Sequence, residues 1–174
     1  MVGRYWEDAF GYTIFCDDVR EEVGGKLTYV GVYAGHLFVT TEFPLTLAKL
    51  CLVIHYMEAV EAPKVGELRI RITFVPDGAE QREISESRID MLRVREDAGS
   101  GLAPDSEVLR LVLINSMTPA TFETPGMIRV RAYRGDDELR LGALRISTAA
   151  PEVVESLKAP ERGPVPLVSD EKPQ

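Results

Sequence analysis

The chain has 174 residues, 45% hydrophobic and 28% charged, the profile of a folded domain with a core. Twenty basic residues against 28 acidic ones give a formal net charge of −8. That balance argues against general nucleic-acid binding and against anchoring on an anionic membrane, since both need a positive excess. No apolar run reaches the ~18–20 residues of a bilayer span. Glu7 and Asp8 stand where a secretory apolar segment would run, so the cytoplasm is the expected compartment.

Taken in chain order, Tyr12 to Cys16 and Leu27 to Tyr33 read as strands flanking an acidic loop, with Gly24-Gly25 supplying the turn. Leu37 to Thr41 is a short further strand. Leu47 to Met57 fits a buried strand or a helix by period alone; Pro44 before it, Pro63 after it and the Val53-Ile54 pair favour the strand. Leu68, Ile70, Ile72 and Phe74 alternate with Arg69, Arg71, Thr73 and Val75, a period of two. Glu83 to Arg95 reads as one or two weaker strands, and Gly99 to Pro104 as a loop.

Leu109, Leu111 and Leu113 form one apolar face while Val112 and Ile114 make the other apolar too, the pattern of a central strand. Ile128, Val130 and Ala132 alternate with Arg129, Arg131 and Tyr133, and Arg134-Gly-Asp-Asp reads as a hairpin turn. In the returning strand the apolar face shifts phase between Leu139/Leu141 and Leu144/Ile146. That shift predicts a β-bulge at Gly142-Ala143. About eight strands with frequent Gly and Pro turns and no strong amphipathic helix predict an all-β fold: an antiparallel β-sandwich, immunoglobulin-like or calcium-lipid-module-like.

This domain is expected over residues 1–149. Residues 150–174 hold five of the 11 prolines and no aromatic residue, and are expected to be an irregular, flexible or extended tail. Within it, Glu152 to Lys158 could make two helical turns, too few to hold alone. Cys16 and Cys51 are too few for a disulfide scaffold or a four-ligand zinc site. They are expected to be reduced, buried thiols, with a bridge across the core as the alternative.

Phe15-Cys-Asp-Asp-Val-Arg-Glu-Glu-Val-Gly-Gly-Lys-Leu27, followed by Val30-Gly-Val-Tyr33, resembles the opening of a bacterial and phage domain family of unknown function. Pro44 with Leu47-Ala-Lys-Leu50 is similar to that family's next segment. Pro125-Gly-Met-Ile-Arg-Val130 with Leu141-Gly142 is similar to its closing hairpin. The resemblance covers most of residues 12–148; His55-Tyr56 departs from the arginine-rich strand expected there. It implies a compact β domain, and it implies no activity, because the family has none assigned.

The densest carboxylate cluster, Asp17-Asp18 with Glu21-Glu22, is a candidate Ca²⁺ site that Asp136-Asp137-Glu138 would complete if both loops lay at one end of the fold. The competing reading is structural: Asp17 caps a strand and accepts hydrogen bonds from the Gly24-Gly25 turn. No metal is assigned, and no cofactor. Fifteen arginines outnumber five lysines, and the pairs Arg69/Arg71 and Arg129/Arg131 each project from one sheet face. If their strands share a sheet, they form an arginine-lined face suited to a protein partner, unless cross-strand carboxylates neutralise it.

Arg134-Gly135-Asp136 spells an adhesion tripeptide, but the hairpin turn explains it fully. Gly24-Gly25-Lys26 lacks the first glycine of a phosphate loop, and the serines lack a G-x-S-x-G context. The low aromatic content, with Trp6 outside the expected sheets, argues against sugar binding.

The expectation is therefore a non-enzymatic protein acting through protein contacts or self-assembly, an accessory or structural component of a bacterial or phage assembly, virions included. A ligand-binding module, calcium- or anion-dependent, is the second class. A small enzyme is the third, and His36 or His55 beside Asp17 or Asp18 would mark it.

Overall fold

The computed structural model describes residues 9–59, 66–98 and 108–149. Trp6, the loop at Gly99 to Pro104 and the proline-rich tail, with the turns expected at Glu152 to Lys158, lie outside them. The described chain is all-β with one short helix: β1 (Ala9–Cys16), β2 (Asp18–Glu22), β3 (Lys26–Val30), β4 (His36–Val39), β5 (Leu45–Leu47), β6 (Leu50–Ala59), β7 (Glu67–Pro76), β8 (Arg82–Asp90), α1 (Met91–Ala98), β9 (Val108–Met117), β10 (Ala120–Phe122), β11 (Gly126–Arg134) and β12 (Asp137–Thr148).

Two larger sheets enclose the core, a three-stranded one in the order β1-β6-β9 and a five-stranded one in the order β4-β12-β11-β7-β8. Leu52, Ile54 and Tyr56 on the inner face of β6 meet Ile70, Ile72 and Phe74 of β7 and Ile128 and Val130 of β11 in one buried cluster. The period-two pattern of these strands is what makes this work. Every second side chain leaves water on the same side, and each one buried is worth about 1.5–3 kcal/mol. Two short strands, β5 and β10, pair with each other and place Phe122 5.2 Å from the ring of Phe74.

Leu47 to Met57 is strand, as expected, although it divides into the end of β5 and most of β6. The turn at Gly135-Asp136 closes the β11–β12 hairpin, with Arg134 opposite Asp137. The phase shift in β12 is a register shift: Val130 faces Gly142 and Arg131 faces Arg140, leaving Leu141 as the extra residue. Gly142 takes φ +151°, a conformation side chains rarely adopt. The bulge lets Leu141, Leu144 and Ile146 all reach the core.

Five expectations are corrected. The acidic segment after Cys16 is a strand, Asp18–Glu22, paired with β3 through a turn at Gly24-Gly25. Twelve strands are described, not about eight, because β2, β5 and β10 are too short to show a period, while the short strand expected at Leu37 to Thr41 is β4. Pairing is not wholly antiparallel, since β4 runs parallel to β12. The segment after Asp90 is helix α1, not strand. Leu92 and Val94 alternate with Arg93 and Arg95 as in a strand, but Asp90 caps a helix there, its Oδ1 accepting the N–H groups of Leu92 (3.0 Å) and Arg93 (3.3 Å). Finally, among the described residues β9 is an end strand and not a central one. Its two apolar faces therefore have different fates, one packed inward and one exposed.

Candidate functional site

β7 and β11 are neighbours, so the four arginines expected to form one face do so: Arg71 stands directly opposite Arg131, and Arg69 opposite Tyr133. β8 adds Glu86 beside Arg71 and Arg88 beside Arg69, while β12 adds Arg140 beside Arg131. Half of this face is internally neutralised. Arg71 donates to Glu86 at 2.6 and 2.9 Å and pairs with Glu83 at 3.2 Å. Its hydrogen bonds hold the Glu86 carboxyl below the usual range, with Arg88 assisting from 2.9 Å. Arg69 and Arg71 also lie over the Tyr133 ring, at 5.5 and 5.3 Å.

The other half is neutralised only at Arg131. Arg131 has Glu138 at 3.0 Å. Arg129, whose neighbour on β12 is the exposed Ala143, and the exposed Arg140 make no ion pair with a described residue. Cross-strand geometry explains the difference. Glutamates line β8 at the edge nearest β7, whereas β12 supplies only Glu138 beside β11. Arg129, Arg131 and Arg140 thus form a cationic triangle on a protein of net charge −8, with guanidinium forks suited to carboxylates.

The carboxylate candidates do not converge. Asp17 accepts a short hydrogen bond from the Tyr33 hydroxyl, which with burial drives that phenol's pKa upward. Its backbone N–H donates to Val30 O at 2.9 Å. Tyr33, and not the Gly24-Gly25 turn, is therefore the partner of Asp17. Gly31 (φ +65°) passes so close to the Asp17 carboxylate that a Cβ there would overlap it. Asp18 pairs with Lys49 at 2.6 Å and with Arg20 at 3.6 Å, and the Lys49 hydrogen bond lowers its pKa.

Asp136 and Asp137 stand at the far end. β1 runs beside β12 with Gly11 near Leu141 and Thr13 near Gly142. The start of β12 therefore lies by the start of β1, and Asp17 follows the end of β1. Among the described residues no group of His, Cys, Asp and Glu side chains is arranged to hold a metal ion.

Neither histidine meets Asp17 or Asp18. His55 stacks on Tyr12 with ring centroids 4.6 Å apart, and its Nε2 is 3.3 Å from the Tyr29 hydroxyl. Burial, then the positive charge of Arg110, lowers its pKa. His36 stacks on Phe38 and its Nε2 lies 2.9 Å from Ser147 Oγ. Among the described residues no carboxylate bonds to His36, so the pair lacks the third group that orients a base toward a serine nucleophile. Cys16 and Cys51 are free, buried and directly opposite each other on β1 and β6. Burial, then the neighbouring Cys51, pushes the Cys16 thiol up to about 11, so it is protonated and inert at neutral pH.

Sequence reasoning missed the most buried charge, Glu58, which is 2% exposed. Tyr56 Oη donates to its Oε2 at 2.8 Å, Arg95 of α1 to Oε1 at 2.5 Å, and Arg134 of β11 sits 3.4 Å from it. The signal available was Tyr56 and Glu58 on the inner side of an otherwise apolar strand. Its two arginine partners lie 37 and 76 residues away in sequence.

Among the described residues no helix is long and apolar enough to cross a membrane. No curated protein matches the chain in sequence. The β1-to-β12 body that carries these groups coincides with the span of one family model, which matches residues 11–147, and the chain belongs to that family, DUF6941, a family of unknown function.

Proposed function

We propose that this chain is a non-enzymatic binding domain, a β-sandwich of immunoglobulin-like kind that acts through protein contacts as an accessory or structural component of a bacterial or phage assembly. One observation carries the reading: Arg129, Arg131 and Arg140 hold a net positive triangle on the open face of the five-stranded sheet of an acidic protein. A strand framework keeps these guanidinium groups in register without help from a ligand. A partner presenting aspartates or glutamates would meet preorganised donors. The dispersal of the Asp17/Asp18 and Asp136/Asp137 groups makes the calcium reading weaker.

The test is purification of the tagged full chain from its native host, beside the Arg129→Ser/Arg131→Ser/Arg140→Ser variant. The expected result is a stoichiometric partner with the wild type that elutes as salt is raised and is lost with the variant, whose melting temperature is unchanged. Equal recovery of the same partner by both proteins would overturn the reading.

A further inference from the structure

The outer face of the three-stranded sheet is chemically unlike the arginine face. Its rows, read across the strands, are Phe10–Met57–Arg110, Tyr12–His55–Val112, Ile14–Val53–Ile114 and Cys16–Cys51–Ser116. The β2–β3 hairpin covers the last of these, packing Val19 and Tyr29 on Cys16, Cys51 and Val53. Val53 and Met57 on the middle strand are buried as well, and the face is open at β9, where Val112 and Ile114 are 43% and 42% exposed. None of these rows contains a carboxylate. In a protein with 28 acidic residues, this is a surface on which two copies can approach without bringing acidic side chains together.

The edge beside this face is also open. β9 pairs with β6 on one side, and among the described residues its other side has no strand and no backbone hydrogen bond. Ten residues long, it has no proline, no lysine and no register shift against β6, and Arg110 near one end is its one charged side chain. Its sequence is self-complementary. Placed antiparallel to a second copy with Leu113 on the two-fold axis, Val112 of each chain faces Ile114 of the other. Leu109 faces Met117, and the one charged side chain, Arg110, faces Ser116 and not its own copy. Cross-strand β-branched pairs are favourable and like charges are kept apart.

We propose that β9 is a homodimerisation edge: two copies of this chain join antiparallel about Leu113 and fuse their three-stranded sheets into one of six strands. The association adds about one main-chain hydrogen bond per residue pair along the seam, and Val112 and Ile114 are covered across it. It leaves the arginine triangle free, so it stands or falls separately from the function proposed above. A foreign strand is a weaker occupant because nothing on β9 would favour it over the chain's own copy.

Light scattering on the purified full chain, from micromolar concentration upward, is expected to give twice the 19.3 kDa chain mass. Val112→Lys/Ile114→Lys is expected to give the monomer mass with an unchanged far-ultraviolet spectrum, since both side chains already face water. The register has its own test. Val112→Cys chains mixed with Ile114→Cys chains are expected to form a disulfide-linked dimer under mild oxidation, and neither alone is. The Arg129→Ser/Arg131→Ser/Arg140→Ser variant is expected to remain dimeric. A monomeric wild type, a dimer that survives the lysine variant, or a mixture that fails to cross-link would each overturn the proposal.

Discussion

Glu58 shows how much a single side chain can demand of this fold. A carboxylate so deeply buried is tolerable only because Tyr56, Arg95 and Arg134 converge on it, and those come from a strand, a helix and a second sheet. Removing the carboxylate leaves two desolvated guanidinium groups facing each other. Glu58→Ala is therefore expected to cost about 3–5 kcal/mol, read as a lower urea midpoint with an unchanged slope.

His55 makes a second prediction at this scale. Burial and Arg110 lower its pKa from 6.5, with Tyr12 and Tyr29 as the other groups facing it. The unfolded chain thus binds the proton more readily than the folded one. The stabilising contribution is complete above pH 6.5 and is lost as pH falls through the folded value. Urea midpoints should decline from neutrality toward about pH 5, ahead of carboxylate protonation. His55→Phe should flatten that limb, and a profile identical to wild type would refute the assignment.

At the scale of elements, the long strands are legible in the sequence, whereas of the short ones β3 and β4 are and β2, β5 and β10 are not. β7 and β11 announce themselves because nine or ten residues alternate, while β6, apolar on both faces, shows no period and is marked as strand by Pro44, Pro63 and the Val53-Ile54 pair. α1 was misread because its eight residues hold Leu92 and Val94 at strand spacing, and a cap at Asp90 outweighs that pattern. Asp90→Ala is expected to cost about 1 kcal/mol. The loss should appear as faster amide exchange across Met91 to Arg95 while exchange in β7 is unchanged. β9 teaches the opposite lesson. Its doubly apolar pattern was read as burial on both faces, but an apolar outer face on an end strand is exposed.

For the whole molecule, what matters is which ends and faces the topology brings together. The β1–β12 adjacency separates Asp17 and Asp18 from Asp136 and Asp137 by the length of a sheet. Calcium and EDTA are accordingly expected to leave the melting temperature unchanged, and a rise with calcium would reveal a site these geometries do not contain. The same topology gives the protein two dissimilar outer surfaces. One is an arginine–glutamate lattice whose positive excess lies on β11 and β12, and the other is a mainly apolar face whose described β1–β6–β9 rows hold no carboxylate and end at β9.

By itself, the sequence determined the all-β class, the strand character of Leu47 to Met57, the β11–β12 hairpin with its bulge, and the placement of Arg69, Arg71, Arg129 and Arg131 on outward-facing positions. Each follows from local alternation and turn chemistry, which act over a few residues. Only the tertiary structure decided that Glu86 and Glu83 neutralise Arg71 while Arg129 and Arg140 have no ion pair among the described residues, that Tyr33 occupies Asp17, that Glu58 is clasped by two arginines, and that β9 is the last described strand of its sheet. These depend on strand order and register, which arise from long-range packing of near-equivalent apolar faces, and no local pattern distinguishes a strand with two neighbours from a strand with one.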